Sequence, residues 1–305
     1  ENLQGAADNE DTFVFGENGS LSGGIDGGAG GFDSLVLDGG NFESSIYSAT
    51  GPNSGTIERD GVVLRYDGLE PITDNTNTTN RVLTTTSAQD TATLTHNPIT
   101  GGLTFASLSG TFETINIAYP STSLTINLGD DDGLPDVLTI DSFSGPGVDL
   151  IVNGQGGADT VFVVGAVTAG DVEIHAEAIT VSPGASISGG DITLDASASL
   201  GTLITPDTNN FLFPPFVAFP LVAGVIVDSA TLSGNNITLT ASASLVSHVD
   251  TPVAPPLGAH PLVAPLAAEV WVRGTTVITA AGAFSATALT TVDATVEADP
   301  VVDPS

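Results

Sequence analysis

The sequence predicts an all-β protein whose larger part is a right-handed parallel β-helix, or β-solenoid, preceded by a mixed β region with hairpins. Residues 191–200, Asp-Ile-Thr-Leu-Asp-Ala-Ser-Ala-Ser-Leu, return almost unchanged 45 positions later as residues 236–245. A fixed offset indicates a structural unit that is stacked on its own copy. The apolar runs are short and rich in β-branched residues, which favours strands over helices.

The two ends of the chain differ in character from the sequence between them. Residues 1–7 begin with Glu-Asn-Leu-Gln-Gly and are interpreted as a cloning or protease-site remnant. Residues 299–305 consist of Asp, Pro, Val and Ser and are predicted to be a linker-like tail. We therefore expect this chain to be a segment of a longer protein.

Residues 8–120 are predicted to form the mixed β region. Residues 56–66 fit a hairpin that turns at Asp60-Gly61, because Asp-Gly between apolar runs is a strong hairpin signal. Residues 91–105 fit a second hairpin with a longer turn around Asn97-Pro98. Residues 73–80 are all polar and are predicted to be a loop without a core residue. Hairpins imply antiparallel pairs, so this region is expected to cap or enter the solenoid.

Residues 121–298 are predicted to form the parallel β-helix. Compact apolar runs are separated by Gly, Asp and Asn, and Ile126, Val152, Ile174 and Leu194 occupy equivalent places in them. The steps between these four residues are 26, 22 and 20 positions, which is the length of one coil of a three-faced solenoid. Alternation along each run directs Val, Ile and Leu inward and Thr, Asp and Ser outward.

Two apolar, Pro-rich insertions interrupt this rhythm, at about 201–224 and 246–269. Proline excludes central strands there, so both are predicted to be loops that leave the solenoid at equivalent points, one above the other. In one interpretation the two loops pack on each other and on the solenoid wall. In the other they form a contact surface for a cell-surface glycan or protein, or for a second copy of the chain.

The charge of the chain excludes some partners and favours others. Of 305 residues, 36 are acidic and only 4 are basic, which gives a formal net charge of −32. The negative electrostatic potential of such a chain repels nucleic acid and anionic lipids and attracts divalent cations. A high net charge also keeps a protein soluble. Cysteine is absent, which excludes disulfides, thiolate nucleophiles and Cys-ligated metals. No uninterrupted apolar stretch is long enough to insert into a membrane.

One acidic turn is a candidate calcium site. The sequence Asp-Asp-Asp-Gly-Leu-Pro-Asp at residues 130–136 places closely spaced carboxylates around a glycine. Calcium takes six to eight oxygen ligands in loose geometry, which a flexible acidic turn can supply. Asp130, Asp132 and Asp136 would be the ligands. The alternative is a solvated acidic corner between two strands.

Two glycine-rich motifs extend the set of candidate calcium ligands by resemblance. Residues 27–33, Gly-Gly-Ala-Gly-Gly-Phe-Asp, and residues 154–160, Gly-Gln-Gly-Gly-Ala-Asp-Thr, each precede an apolar strand. Both resemble single repeats of the repeats-in-toxin proteins, and this resemblance implies Asp33 and Asp159 as ligands. The first motif has one residue too many and neither is tandem. The alternative is that glycine simply turns a solenoid corner.

A wider resemblance covers residues 121–298. Units of the form Gly-Asp/Asn-Ile-Thr-Leu-x-Ala, as at residues 190–196 and, with Asn in place of the glycine, at residues 235–241, resemble the large β-helical adhesins of the filamentous-haemagglutinin and autotransporter type. Those are secreted or cell-surface bacterial proteins. The resemblance therefore implies a structural or adhesive segment at the bacterial surface or outside the cell.

Catalysis on the same fold is the competing hypothesis, and the chain is not expected to be an enzyme. Polysaccharide lyases and hydrolases use β-helices, with paired carboxylates or basic residues. Here lysine is absent, the four arginines are scattered, and there are only one Trp and three Tyr to stack on sugars. His175 has acidic neighbours in Asp171, Glu173 and Glu177, but alternation along an exposed strand produces such a grouping by default. Ice binding would require regular Thr ranks, and the Thr positions are irregular.

Overall fold

The computed structural model describes residues 1–129, 134–204, 221–251 and 266–298, and these ranges contain strands and no helix. The protein is therefore all-β, and no segment in these ranges is a helix that could cross a membrane. The strands form three sheets of twelve, eleven and five strands. Most neighbouring strands within the sheets are parallel.

The sheets are named I, II and III. Sheet I contains, in spatial order, β1 (Leu3–Gln4), β3 (Gly24–Asp26), β7 (Val62–Asp67), β6 (Ser54–Arg59), β5 (Asn41–Gly51), β9 (Asn77–Thr84), β13 (Ser123–Asn127), β16 (Asp149–Asn153), β19 (Val172–Ala176), β22 (Ile192–Ile204), β25 (Ile237–Thr251) and β28 (Phe284–Ala298). Sheet II contains β2 (Thr12–Phe15), β4 (Ser34–Leu37), β8 (Ile72–Asp74), β12 (Ile115–Ile117), β11 (Leu103–Ser107), β10 (Thr91–His96), β14 (Val137–Ile140), β17 (Thr160–Val163), β20 (Ala178–Val181), β23 (Leu221–Asp228) and β26 (Leu266–Arg273). Sheet III contains β15 (Phe143–Ser144), β18 (Ala166–Thr168), β21 (Ser186–Ser188), β24 (Thr231–Gly234) and β27 (Val277–Ala280).

From β13 onward the chain passes through sheets I, II and III in turn and then returns to sheet I. We call each such passage a circuit. The four residues that the sequence placed in equivalent positions are direct neighbours in sheet I, where Ile126 pairs with Val152, Val152 with Ile174 and Ile174 with Leu194. The predicted strand spacing is thus confirmed. Each circuit places its apolar residues beside those of the circuits before and after it.

The near-repeat is a pair of adjacent strands. Strands β22 and β25 are parallel and in register from Ile192 and Ile237 to Ile204 and Val249, always 45 positions apart. The first and last residues of both predicted insertions belong to strands, whereas the sequence predicted loops there. Residues 201–204 and 221–224 extend β22 and β23, and residues 246–251 and 266–269 extend β25 and β26. The central parts of the insertions lie outside the described residues.

The N-terminal region shares sheets I and II with the rest of the chain. It contains two antiparallel three-stranded units, β5–β6–β7 in sheet I and β10–β11–β12 in sheet II, which confirm both predicted hairpins. Asp60 and Gly61 have φ of 48° and 82°, the left-handed pair that a type I′ turn requires. Strands β9 and β10 then pair with β13 and β14, so hydrogen bonding is continuous past residue 120.

The predicted polar loop at residues 73–80 is wrong. Most of these residues belong to strands β8 and β9, and Asp74, Thr76 and Thr78 are buried. Asp74 lies in register with Leu37 of the neighbouring strand, so it occupies a core position of sheet II. The uniform polarity of this segment suggested a loop. The sequence alone does not show that these polar side chains form hydrogen bonds with one another in the interior.

The core is formed by the inward-facing residues of all three sheets. Leu35, Leu94, Ile140, Ile187 and Leu239 are all fully buried, although they span most of the chain. Burial of each such side chain contributes roughly 1.5–3 kcal/mol. A continuous apolar interior of this kind holds the surface features of successive circuits in fixed register.

Candidate functional site

The most regular polar feature is a row of carboxylates at the corner that leads from sheet I to sheet II. Asp90, Asp136, Asp159 and Glu177 each stand immediately before a strand of sheet II. The Asp90 amide donates to Asp136 Oδ1 at 2.6 Å, the Asp136 amide to Asp159 Oδ1 at 2.8 Å, and the Asp159 amide to Glu177 Oε2 at 2.8 Å. Hydrogen bonds to charged acceptors are stronger than neutral ones, so this corner row holds successive circuits together.

A second row of the same kind lies at the corner that leads from sheet III to sheet I. The Asp171 amide donates to Asp149 Oδ1 and the Asp191 amide to Asp171 Oδ1, both at 2.8 Å. Asn236 continues the row by donating its side-chain amide to Asp191 Oδ1 at 2.9 Å. These bonds explain why Asp or Asn recurs just before strands of sheet I.

The five predicted calcium ligands do not lie together in the structure as far as it describes them. Asp136 and Asp159 are fully buried neighbours in the corner row. Asp33 is 4% exposed and accepts the Asp11 amide at 2.7 Å, but it precedes β4, which is several strands away in sheet II. Asp130 and Asp132 lie outside the described residues. Asp33 therefore does not share a site with Asp136 and Asp159.

The described residues contain no group of three or more His, Cys, Asp or Glu side chains arranged to hold a metal ion. The carboxylates of the corner row follow one another from circuit to circuit, and each of Asp136, Asp159 and Glu177 accepts the backbone amide of the preceding member. Calcium at Asp130, Asp132 and Asp136 remains a prediction. Calcium and magnesium prefer hard oxygen ligands, and both carboxylates and backbone carbonyls provide them.

Lack of space for a side chain explains the glycines in the two glycine-rich motifs. A Cβ atom added at Gly27 would lie 2.9 Å from Asp33 Oδ2 and 2.1 Å from the carbonyl oxygen of Gly68. At Gly154 it would lie 3.0 Å from Asp159 Oδ2 and 3.2 Å from Ala176 Cα. In both motifs, glycine lets the chain pass close to the carboxylate and to the adjacent strand connection. This geometry supports the interpretation that glycine turns a corner.

A buried ion pair that the sequence did not suggest crosses the interior between sheets I and II. Arg81 and Asp74 are both fully buried, with Arg81 Nη1 2.7 Å from Asp74 Oδ2. Arg81 Nη2 donates to the carbonyl oxygen of Thr76 at 2.7 Å, and the Tyr47 hydroxyl donates to Asp74 Oδ2. Burial alone would raise the pKa of Asp74, but the charge and hydrogen bonds of Arg81 outweigh it and lower that pKa.

A second buried acid lies beside a tyrosine. Glu113 is 1% exposed, and its Oε1 accepts a hydrogen bond from the Tyr66 hydroxyl. Burial, with a contribution from the charge of Glu70, raises the pKa of Glu113 to about 7. Within the described ranges of the chain, Glu113 Oε2 has no hydrogen-bond partner. This acid therefore changes its charge near neutral pH, where ordinary glutamates do not.

A shallow groove of about 250 Å³ lies on the outer face around His175 and is lined by Asn153, Gly154, Gln155, His175, Ala176, Glu177 and Ser197. His175 Nε2 is 3.9 Å from Glu173 Oε2, and Nδ1 is 3.6 Å from Asp195 Oδ2. The two carboxylates thus face opposite nitrogens of the ring and do not converge on one point. The lining contains neither a basic residue besides histidine nor an aromatic that could stack on a sugar.

No family model matches the chain, and the comparisons with curated proteins and with solved structures gave no match.

Proposed function

We propose that the three sheets form a right-handed parallel β-helix that acts as a rigid structural and adhesive segment of a large secreted or cell-surface bacterial protein. The handedness follows from the strong preference of parallel strand connections for the right-handed crossover. The observation that carries the proposal is sheet I, whose ladder of twelve strands extends from Leu3 to Ala298. At about 4.8 Å per strand, this ladder is roughly 50 Å long.

The adhesive part of the proposal depends on the two apolar insertions. Ile204 pairs with Val249 where the chain leaves sheet I, and Leu221 pairs with Leu266 where it enters sheet II. The insertions therefore begin and end at equivalent points of adjacent circuits. Two apolar, Pro-rich segments that start and end at equivalent points of an otherwise acidic chain suit contact with a cell-surface glycan, a protein or another copy of the chain.

A load-bearing role is tested by pulling on the two ends of the chain with optical tweezers. Each circuit contacts only its neighbours, so we expect resistance followed by loss of structure in steps. The steps should correspond to single circuits, which span between 20 and 47 residues in the strand register. A chain that extends smoothly, without a resisted transition, would contradict the proposed role as a rigid spacer.

The register of the near-repeat can be tested with an engineered disulfide, because the chain has no cysteine of its own. Thr193 and Thr238 are partners on adjacent parallel strands and both face outward. The pair Thr193→Cys/Thr238→Cys should oxidise readily and stabilise the protein by up to about 4 kcal/mol, since it closes a long loop. Urea unfolding with and without reductant measures the gain.

The control for this disulfide is Thr193→Cys/Ser242→Cys. Ser242 lies on the same strand and face as Thr238 but four residues further along, which is roughly 13 Å away. This pair should remain reduced under the same conditions. Equal oxidation of both pairs would contradict the 45-residue register.

Calcium is proposed to bind the acidic segment at residues 130–136, whose last residue, Asp136, belongs to the corner row. Binding to the native state alone should raise the free energy of unfolding by about 1–3 kcal/mol in millimolar calcium relative to chelator at equal ionic strength. Thermal melting measures this. Asp132→Ala should lose the response, whereas Asp38→Ala, which removes an exposed charge elsewhere, should keep it. An identical melting temperature with calcium and with chelator would exclude the site.

A further inference from the structure

Two of the four basic residues lie side by side in the interior, on either side of one serine. Ser45 pairs with Arg81 on one neighbouring strand of sheet I and with Arg59 on the other. Ser45 and Arg81 are fully buried, and Arg59 is 5% exposed. In a chain with a net charge of −32, this places half of all the basic side chains in one buried row.

The two arginines differ in how their charges are compensated. Arg81 is paired with Asp74 at 2.7 Å. Arg59 Nη2 donates to the carbonyl oxygen of Gly19 at 3.1 Å, and its guanidinium carbon lies 4.7 Å from the centre of the Phe42 ring. Among the described residues, no carboxylate forms an ion pair with Arg59. The row therefore carries one buried positive charge in excess.

Three polar atoms of this row have no hydrogen-bond partner among the residues that the structure describes. They are Arg59 Nη1, Ser45 Oγ and Arg81 Nε. The nearby Tyr47 hydroxyl already accepts from Arg81 Nη1 at 3.3 Å and donates to Asp74 Oδ2. An unsatisfied buried donor costs free energy, and an uncompensated buried charge costs considerably more. A water molecule could satisfy the donors, but only an anion also compensates the charge.

We propose that the row formed by Arg59, Ser45 and Arg81 binds a small monovalent anion of halide size, such as chloride. Arg59 Nη1, Ser45 Oγ and Arg81 Nε are the donors. The ligand is monovalent because Arg59 contributes the only uncompensated charge of the row. It is small because all three side chains are buried between closely spaced strands. The site is independent of the proposed surface role.

The test is thermal melting of the full chain at fixed pH and ionic strength while chloride replaces gluconate, an anion too bulky for a buried site. The melting temperature of the parent should rise by about 3 °C as chloride increases. Arg59→Gln should lose this rise. Arg273→Gln makes the same charge change at an exposed residue and should keep it, so general salt effects are removed by comparison.

Two further measurements apply if Arg59→Gln does not fold. Ser45→Ala removes one donor with little change in packing and should shift the chloride dependence to several-fold higher concentration. Crystals of the parent in bromide should show an anomalous diffraction peak beside Arg59. A flat chloride response, a response that Arg59→Gln or Ser45→Ala leaves unchanged, or ordered density without an anomalous peak would mean that the row holds water only and would overturn the proposal.

Discussion

Replacement of Asp74 by asparagine is expected to lower the free energy of unfolding by about 3–5 kcal/mol, one of the largest effects of any single substitution in this chain. The reason is that Arg81 stays fully buried after its counter-charge is removed. The Tyr47 hydroxyl and the Thr76 amide, which donates to Asp74 Oδ1 at 2.7 Å, also lose a charged acceptor. Urea unfolding monitored by circular dichroism measures the change.

A double-variant comparison separates the ion pair from simple loss of packing. Asp74→Leu combined with Arg81→Met removes both charges, and it should destabilise the protein less than the sum of the two single changes. The exposed pair of Arg273 and Asp228, with a separation of 2.9 Å, is the control, since Arg273→Gln should cost less than about 1 kcal/mol. If Asp74→Asn stays within about 1 kcal/mol of the parent, the buried pair is not the anchor of this region.

The parts of the fold that the sequence predicted correctly depend on simple periodicity. Ile126, Val152, Ile174 and Leu194 were placed in register because apolar residues must meet apolar residues in the interior of a stack. The hairpin at Asp60-Gly61 was predicted because few other residue pairs adopt two left-handed conformations in succession. Both inferences need only local sequence and a general rule.

The buried polar groups could not be predicted in this way, because their partners are distant in sequence or on different sheets. A signal was nevertheless present. Asp74 alternates in phase with Ile72, and Arg81 alternates in phase with Leu83, so each occupies an inward position of its strand. Uniform polarity from Thr73 to Asn80 obscured that phase. An inward-facing charge in a strand is a reason to search for an opposite inward-facing charge on the opposing sheet.

Two of the candidate site residues are neighbours in a way that the sequence did not predict. Asp136 and Asp159 were chosen from two separate motifs, and the structure places them side by side because they are one circuit apart. The general signal, an acidic residue directly before successive strands of sheet II, also includes Asp90 and Glu177. It was missed because the strand boundaries of this sheet were not defined closely enough to align the corners.

Glu113 links the two antiparallel units of the N-terminal region, and its titration should control their stability near neutral pH. Its hydrogen-bond partner Tyr66 is on β7 of sheet I, whereas Glu113 precedes β12 of sheet II. Burial raises the pKa of Glu113 to about 7 from its ordinary value of 4.5, and Glu70 is the charged group that adds to this shift. Burial also raises the pKa of Tyr66, so Tyr66 remains a neutral donor.

The direction of the pH effect follows from the raised pKa. Below about pH 4.5, Glu113 is protonated in both the folded and the unfolded chain, so the neutral acid is tolerated in the interior. As the pH rises toward 7, the unfolded chain loses this proton while the folded chain retains it, and stability decreases by about 3 kcal/mol in total. Asp74 does not contribute in this window, because its lowered pKa keeps it ionised in the folded state.

Glu113→Gln should therefore stabilise the protein at pH 8 and leave it almost unchanged at pH 4.5. Glutamine keeps an oxygen that can accept the Tyr66 hydroxyl and carries no charge at any pH, so it mimics the protonated acid. The measurement is the difference in the free energy of unfolding between variant and parent at several pH values from 4.5 to 8, with Glu10→Gln as a control at an exposed glutamate. Other titrating groups, including Glu177, are common to both proteins and cancel in this difference. A difference that is constant over the whole pH range would show that Glu113 is ionised in the folded protein like any surface glutamate, and it would remove this acid as a source of pH sensitivity.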